Sequence, residues 1–110
     1  MIMKNFVRFV CLVMVLCLCI ASVASAAVYS SRYGDNTLKR SSTVKRVVKN
    51  VQADLSKNTS YMLDHDGKYG PMTFAAAKEF QEDHYLDVDG QTGKYTKTKL
   101  YPLRDTNYNY

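Results

Sequence analysis

One phrase, written twice, constrains this chain more than any other feature. Residues 63–73 read LDHDGKYGPMT and residues 86–96 read LDVDGQTGKYT. Aligned without a gap at an offset of 23 residues, they share Leu, Asp, Asp, Gly, Gly and Thr in the pattern L-D-x-D-G-x-x-G-x-x-T. A calcium loop, a metal-dependent active site and a structural connector all begin with such aspartates and glycines.

Calcium fits poorly. An EF-hand loop needs a carboxylate at its first position and a bidentate acid at its twelfth. With Asp66-Gly67 in the D-G register, those positions hold Met62 and Thr73; with Asp89-Gly90, they hold Tyr85 and Thr96. A catalytic metal would draw on His65, His84, Asp64 and Asp66, but the histidines stand in different loops and form no HExxH pair. They read as surface histidines. No G-x-S-x-G elbow supports a serine nucleophile. The sequence therefore calls for no metal, no cofactor and no catalytic residue.

A structural connector explains more of the phrase. Leu63 and Leu86 plug the core, and Asp66-Gly67 and Asp89-Gly90 make tight turns in which glycine takes positive φ. The aspartates accept hydrogen bonds from loop amides. Gly70 and Gly93 close each loop, Gly70 with an unusual backbone angle, and Thr73 and Thr96 fall in the first turn of the helix that follows.

The rest of the chain organises around this pair. Lys4 and Arg8, an apolar run from Phe9 to Ile20 and the Ala24-Ser25-Ala26 signal predict a secretory leader over 1–26, cut after Ala26. The apolar run is shorter than the roughly 20 residues of a membrane span. Leu16 and Leu18 precede Cys17 and Cys19 where a lipid-anchor signal wants a small residue. All three cysteines lie in this leader, so the exported part has neither disulfide nor thiolate. Without Lys4 and Arg8 it carries 13 basic against 10 acidic residues, a balance of +3 too evenly mixed to argue for nucleic acid.

Residues 27–37 read as a polar arm, 38–103 as the domain and 104–110 as a frayed tail. Helix one should start near Ser41 or Ser42 and run to Lys57-Asn58, with Val44, Val47, Val48, Val51 and Leu55 as its apolar stripe. Helix two should start at Pro71 and bury Phe74, Ala77 and Phe80. A short third helix spans 96–103, with Tyr95, Leu100 and Leu103 as core candidates. The fold class predicted is all-α, a small orthogonal three-helix bundle with two related D-G-x-x-G loops.

These residues resemble the peptidoglycan-binding domain of the small three-helix type. The likeness rests on Val48-Lys49-Asn50-Val51-Gln52, on Asp66-Gly67-Lys68-Tyr69-Gly70-Pro71-Met72-Thr73 with Ala76-Ala77-Lys78-Glu79-Phe80-Gln81, and on Leu86, Asp89-Gly90-Gln91-Thr92-Gly93, Thr96 and Leu100. Lys94 stands where the family's second loop usually has proline. The resemblance implies a non-catalytic, secreted or wall-associated module whose partner is bacterial peptidoglycan. A muropeptide offers sugar rings and peptide amides, so aromatic faces and polar loop groups are the natural contacts. Tyr69, Tyr85, Asp87, Gln91, Thr92 and Tyr95 are the candidates, while Gln52 and Gln81 suit structural hydrogen bonds. Two other classes stay open: an adaptor or inhibitor that binds another secreted or wall-associated protein, and a metal-dependent cell-wall enzyme.

Overall fold

The computed structural model describes residues 29–42 and 44–110, so the leader expected over 1–26 lies outside the described residues. Three α-helices follow one another: α1 (Lys45–Asn58), α2 (Pro71–Asp83) and α3 (Lys94–Leu100), the last running into a 3₁₀ turn, Tyr101–Leu103. Residues 29–33 are also helical. Among the described residues there is no strand, only an isolated antiparallel bridge between Leu38 and Thr92. No helix among them is long and apolar enough to cross a membrane.

The stripe on α1 packs as its periodicity requires. Val47, Val48, Val51 and Leu55 are buried against Ala76, Ala77 and Phe80 of α2 and Leu100 of α3. Each buried Val, Leu or Phe side chain contributes about 1.5–3 kcal/mol of burial. Val44 does not join them; it precedes the helix and is 53% exposed. The serines do not cap α1 either. Lys39 N–H donates to the Ser42 hydroxyl and Ser42 N–H to Lys39 carbonyl, both at 2.8 Å. The serine is engaged in a turn, and α1 starts three residues later.

Pro71 occupies the first turn of α2, where its missing N–H has no partner to lose. Gly70 before it has φ −93° and ψ −171°, ordinary extended backbone, so the unusual angle expected there is absent. The strained residue is at the other end. Leu86 N–H donates to Gln81 carbonyl (2.8 Å) and Tyr85 N–H to Glu82 carbonyl (3.3 Å), a Schellman stop whose left-handed position, normally glycine, holds Tyr85 at φ +57°. In the third helix Leu100 is buried as expected. Tyr95 and Leu103 are not, at 76% and 38% exposure, because Tyr95 points off the first turn and Pro102 diverts the chain.

The arm and the tail both depart from expectation. Tyr29, Arg32 and Tyr33 of the arm are buried, with Tyr33 fully so. Arg32 makes a two-pronged pair with Asp54 (2.7 and 2.8 Å), and the Tyr33 hydroxyl donates to the same carboxylate. The fully buried Lys97 ammonium donates to the carbonyls of Gly34 (2.8 Å) and Asn36 (2.6 Å). The tail wraps the outside of α1: Asp105 N–H donates to Asp54, and Tyr110 N–H to Asn50. Tyr29 and Tyr33 share one helical face, which carries the segment into the core; the surrounding serines, Gly34 and Asp35 obscure that in the sequence.

Candidate functional site

Each loop hangs on one buried glutamine. Gln52 of α1 donates from Nε2 to Asp66 Oδ1 (2.9 Å), Lys68 carbonyl (2.9 Å) and Thr73 Oγ1 (3.1 Å), and its Oε1 accepts from Gly67 N–H (3.0 Å). Gln81 of α2 donates to Asp89 Oδ1 (2.9 Å), Gln91 carbonyl (2.7 Å) and Thr96 Oγ1 (3.1 Å), and accepts from Gly90 N–H (2.9 Å). Aspartate closes each turn on the amide two residues ahead, Asp66 on Lys68 and Asp89 on Gln91, both at 2.9 Å. The Lys68 N–H, with the Gln52 amide, holds the Asp66 carboxyl below the usual carboxylate range.

The glycines of the turns are dictated by geometry. Gly67 and Gly90 sit at φ +76° and +75°, and a Cβ on Gly90 would lie 2.4 Å from the Phe74 ring. The loops are also tied to each other. The Tyr69 hydroxyl donates to Gly90 carbonyl (2.8 Å) and lies 2.9 Å from Thr92 Oγ1.

That tie decides the fate of two candidates. Tyr69 is 2% exposed and Thr92 fully buried, so neither presents a surface to a ligand; they hold the loops together instead. Burial pushes the Tyr69 hydroxyl up to about 12. The other four candidates, Tyr85, Asp87, Gln91 and Tyr95, line one shallow concavity of about 250 Å³, floored by Gln81, Leu86 and Thr96. Tyr85 is 97% and Tyr95 76% exposed.

A second concavity, about 300 Å³, lies on the first loop and was not foreseen. Its lining corresponds position for position: Met62, Asp64, Lys68 and Met72 stand where Tyr85, Asp87, Gln91 and Tyr95 stand in the other. The 23-residue offset in the sequence already pairs these positions; what hides the pocket is that the repeat keeps its frame and changes its rim.

The histidines do not converge. His65 Nδ1 bonds the Tyr110 hydroxyl at 2.7 Å and its ring meets Tyr108 edge-on, whereas the His84 ring lies over Phe80 with centroids 4.2 Å apart. No group of three His, Asp or Glu side chains gathers as a metal-ligand set among the described residues.

Three helices thus carry two glutamine-anchored D-G loops, each with a shallow concavity rimmed by exposed side chains. The chain belongs to the peptidoglycan binding domain family, which matches residues 46–100, half of its length. Over 47 residues it is 43% identical to the zinc D-Ala-D-Ala carboxypeptidase of Streptomyces albus G, a match covering 43% of this chain and 18% of that enzyme. No solved structure matches the chain. The family is described as one that binds peptidoglycan.

Proposed function

We propose that the protein is a non-catalytic module, exported by the leader over 1–26, that binds peptidoglycan through the pocket of its second loop. The observation that carries this reading is Tyr85: an aromatic residue held at φ +57° and 97% exposed, on the rim of the pocket that Tyr95 also lines. A tyrosine in left-handed backbone is disfavoured by roughly 1–2 kcal/mol where glycine is not. Strain of that kind concentrates at functional sites, and the helix stop at this position would form at lower cost with glycine.

The chemistry suits the polymer. Tyrosine rings offer flat apolar faces to the C–H face of a sugar ring, while their hydroxyls stay in water. Asp87 accepts from hydroxyls or amide N–H groups, and Gln91 both donates and accepts. Lys94 adds a cation beside them. The two loops form an internal repeat whose duplicated glutamine frame gives both rims a rigid base.

The test is sedimentation of the purified protein with insoluble peptidoglycan, with and without a chelator. Retention in both conditions is the expected result, because the contacts are side-chain contacts. Retention that a chelator abolishes would instead support a metal-dependent reading, and absence of retention would favour an adaptor on the same scaffold.

A further inference from the structure

The first-loop pocket has the same frame as the second but a different rim. We propose that it is a second ligand site, one that takes the stem peptide while the tyrosine pocket takes the sugar; this rests on the peptidoglycan reading above. The shared frame is set by the glutamines. Gln52 and Gln81 make matching bonds to the aspartate, the loop carbonyl and the threonine of their copies. The cavities they floor are alike in size, about 300 and 250 Å³.

The occupant follows from the rim. Met62 is 94% and Met72 58% exposed, and thioether chains of this kind cost hydration at the surface without serving the core. Methionine lacks the flat face that stacks on a sugar ring. It is flexible and polarizable, and it adapts to small aliphatic groups such as alanine methyls. Asp64 stands beside them, exposed, with no hydrogen bond to its carboxylate from the described residues. It is an acceptor for the amide N–H groups or terminal ammonium of a peptide. Lys68, in the same lining, provides a counter-charge for a peptide carboxylate.

Spacing makes the two sites separate yet compatible with one polymer. Pro71, Met72 and Thr73 border the first pocket at the start of α2, and Gln81, Tyr85 and Leu86 border the second at and just beyond its end. Thirteen residues of helix put them roughly 20 Å apart. Neighbouring sugar and peptide branches of a cross-linked wall can reach both, and the second contact then forms at high effective concentration.

The experiment is a nuclear magnetic resonance titration of the full-length protein labelled at methionine methyls, with Met62 and Met72 assigned from single leucine variants. The probes are an alanine-containing stem tetrapeptide and an N-acetylated disaccharide, used separately. The tetrapeptide should shift the Met62 and Met72 methyls saturably, and the disaccharide should shift Tyr85 and Tyr95 ring signals instead. Met62→Ser with Met72→Ser should abolish the peptide titration and lower retention on insoluble wall about tenfold, with the disaccharide response intact. Both methionines are exposed, so the variant keeps its core. Unmoved methionine methyls in a protein that still sediments with wall would overturn the second site alone. Failure to sediment at all would remove the proposed function, and this site with it.

Discussion

Gln52 and Gln81 stand in the same relation to two different loops: each buried amide bonds an aspartate, a main-chain carbonyl and a threonine hydroxyl within 2.7–3.1 Å. An amide suits this place because one nitrogen supplies the donors and one oxygen accepts from the turn N–H, Gly67 or Gly90.

Truncating either glutamine strands several buried groups at once. Gln81→Ala leaves Asp89 and Gly90 N–H without their acceptor and Gln91 carbonyl without its donor. The cost should be about 3 kcal/mol or more, since three groups lose a partner and each buried unsatisfied group costs roughly 1–3 kcal/mol. Urea unfolding measures it, and a midpoint equal to wild type would show that water replaces the amide freely.

Two glycines give an internal contrast. Gly90→Ala should destabilise by more than about 2 kcal/mol, because positive φ and a 2.4 Å approach to Phe74 act together. Gly70→Ser should stay within about 0.5 kcal/mol: its φ is −93°, a Cβ there meets nothing within 4 Å, and serine suits the position before a helix. Thermal midpoints of the two variants decide it; equal losses would contradict the loop geometry.

Alkali should loosen the fold through buried phenols. Tyr69 is raised from 10 to about 12 by burial, and burial together with the Asp54 carboxylate raises Tyr33. A group raised in the folded state contributes fully below its unfolded pKa, so this stability is present below pH 10 and is lost as pH climbs towards 12. Lys97 works the other way, because burial lowers its ammonium and deprotonation relieves that penalty. Unfolding followed from pH 8 to 12 should steepen above 10, and Tyr69→Phe should flatten the fall. An unchanged slope in that variant would place the alkaline transition elsewhere.

Tyr85 should show a conflict between stability and binding. Tyr85→Gly removes the left-handed strain and should stabilise the fold by up to about 1 kcal/mol, while wall retention falls. Calorimetry and sedimentation on the same preparation test both halves. A variant that is more stable and binds as well as wild type would mean the strain serves no ligand.

The doubled phrase carried most of what could be read in advance. Helix two with its proline start, the buried valine stripe and the positive φ of the D-G glycines follow from local rules that act within a few residues. The burial of Tyr69 and Thr92 does not, because it depends on the Tyr69 hydroxyl reaching across to the other loop. The Arg32–Asp54 pair joins positions 22 residues apart, and Lys97 reaches back to Gly34 over 63. Charged residues at such separations look solvated in a sequence. Their partners appear only when the chain is closed.

The central claim is that the tyrosine rim of the second loop binds the wall, and the direct measurement is retention of a Tyr85→Ala, Tyr95→Ala double variant on purified peptidoglycan. Both side chains are mostly exposed, so the helical circular-dichroism signal should persist. Retention should fall about tenfold or more, as expected when two aromatic contacts of roughly 0.7 kcal/mol or more each are removed. Retention equal to wild type, or retention that vanishes with moderate salt and ignores both substitutions, would contradict it and leave only nonspecific attraction by the net positive charge.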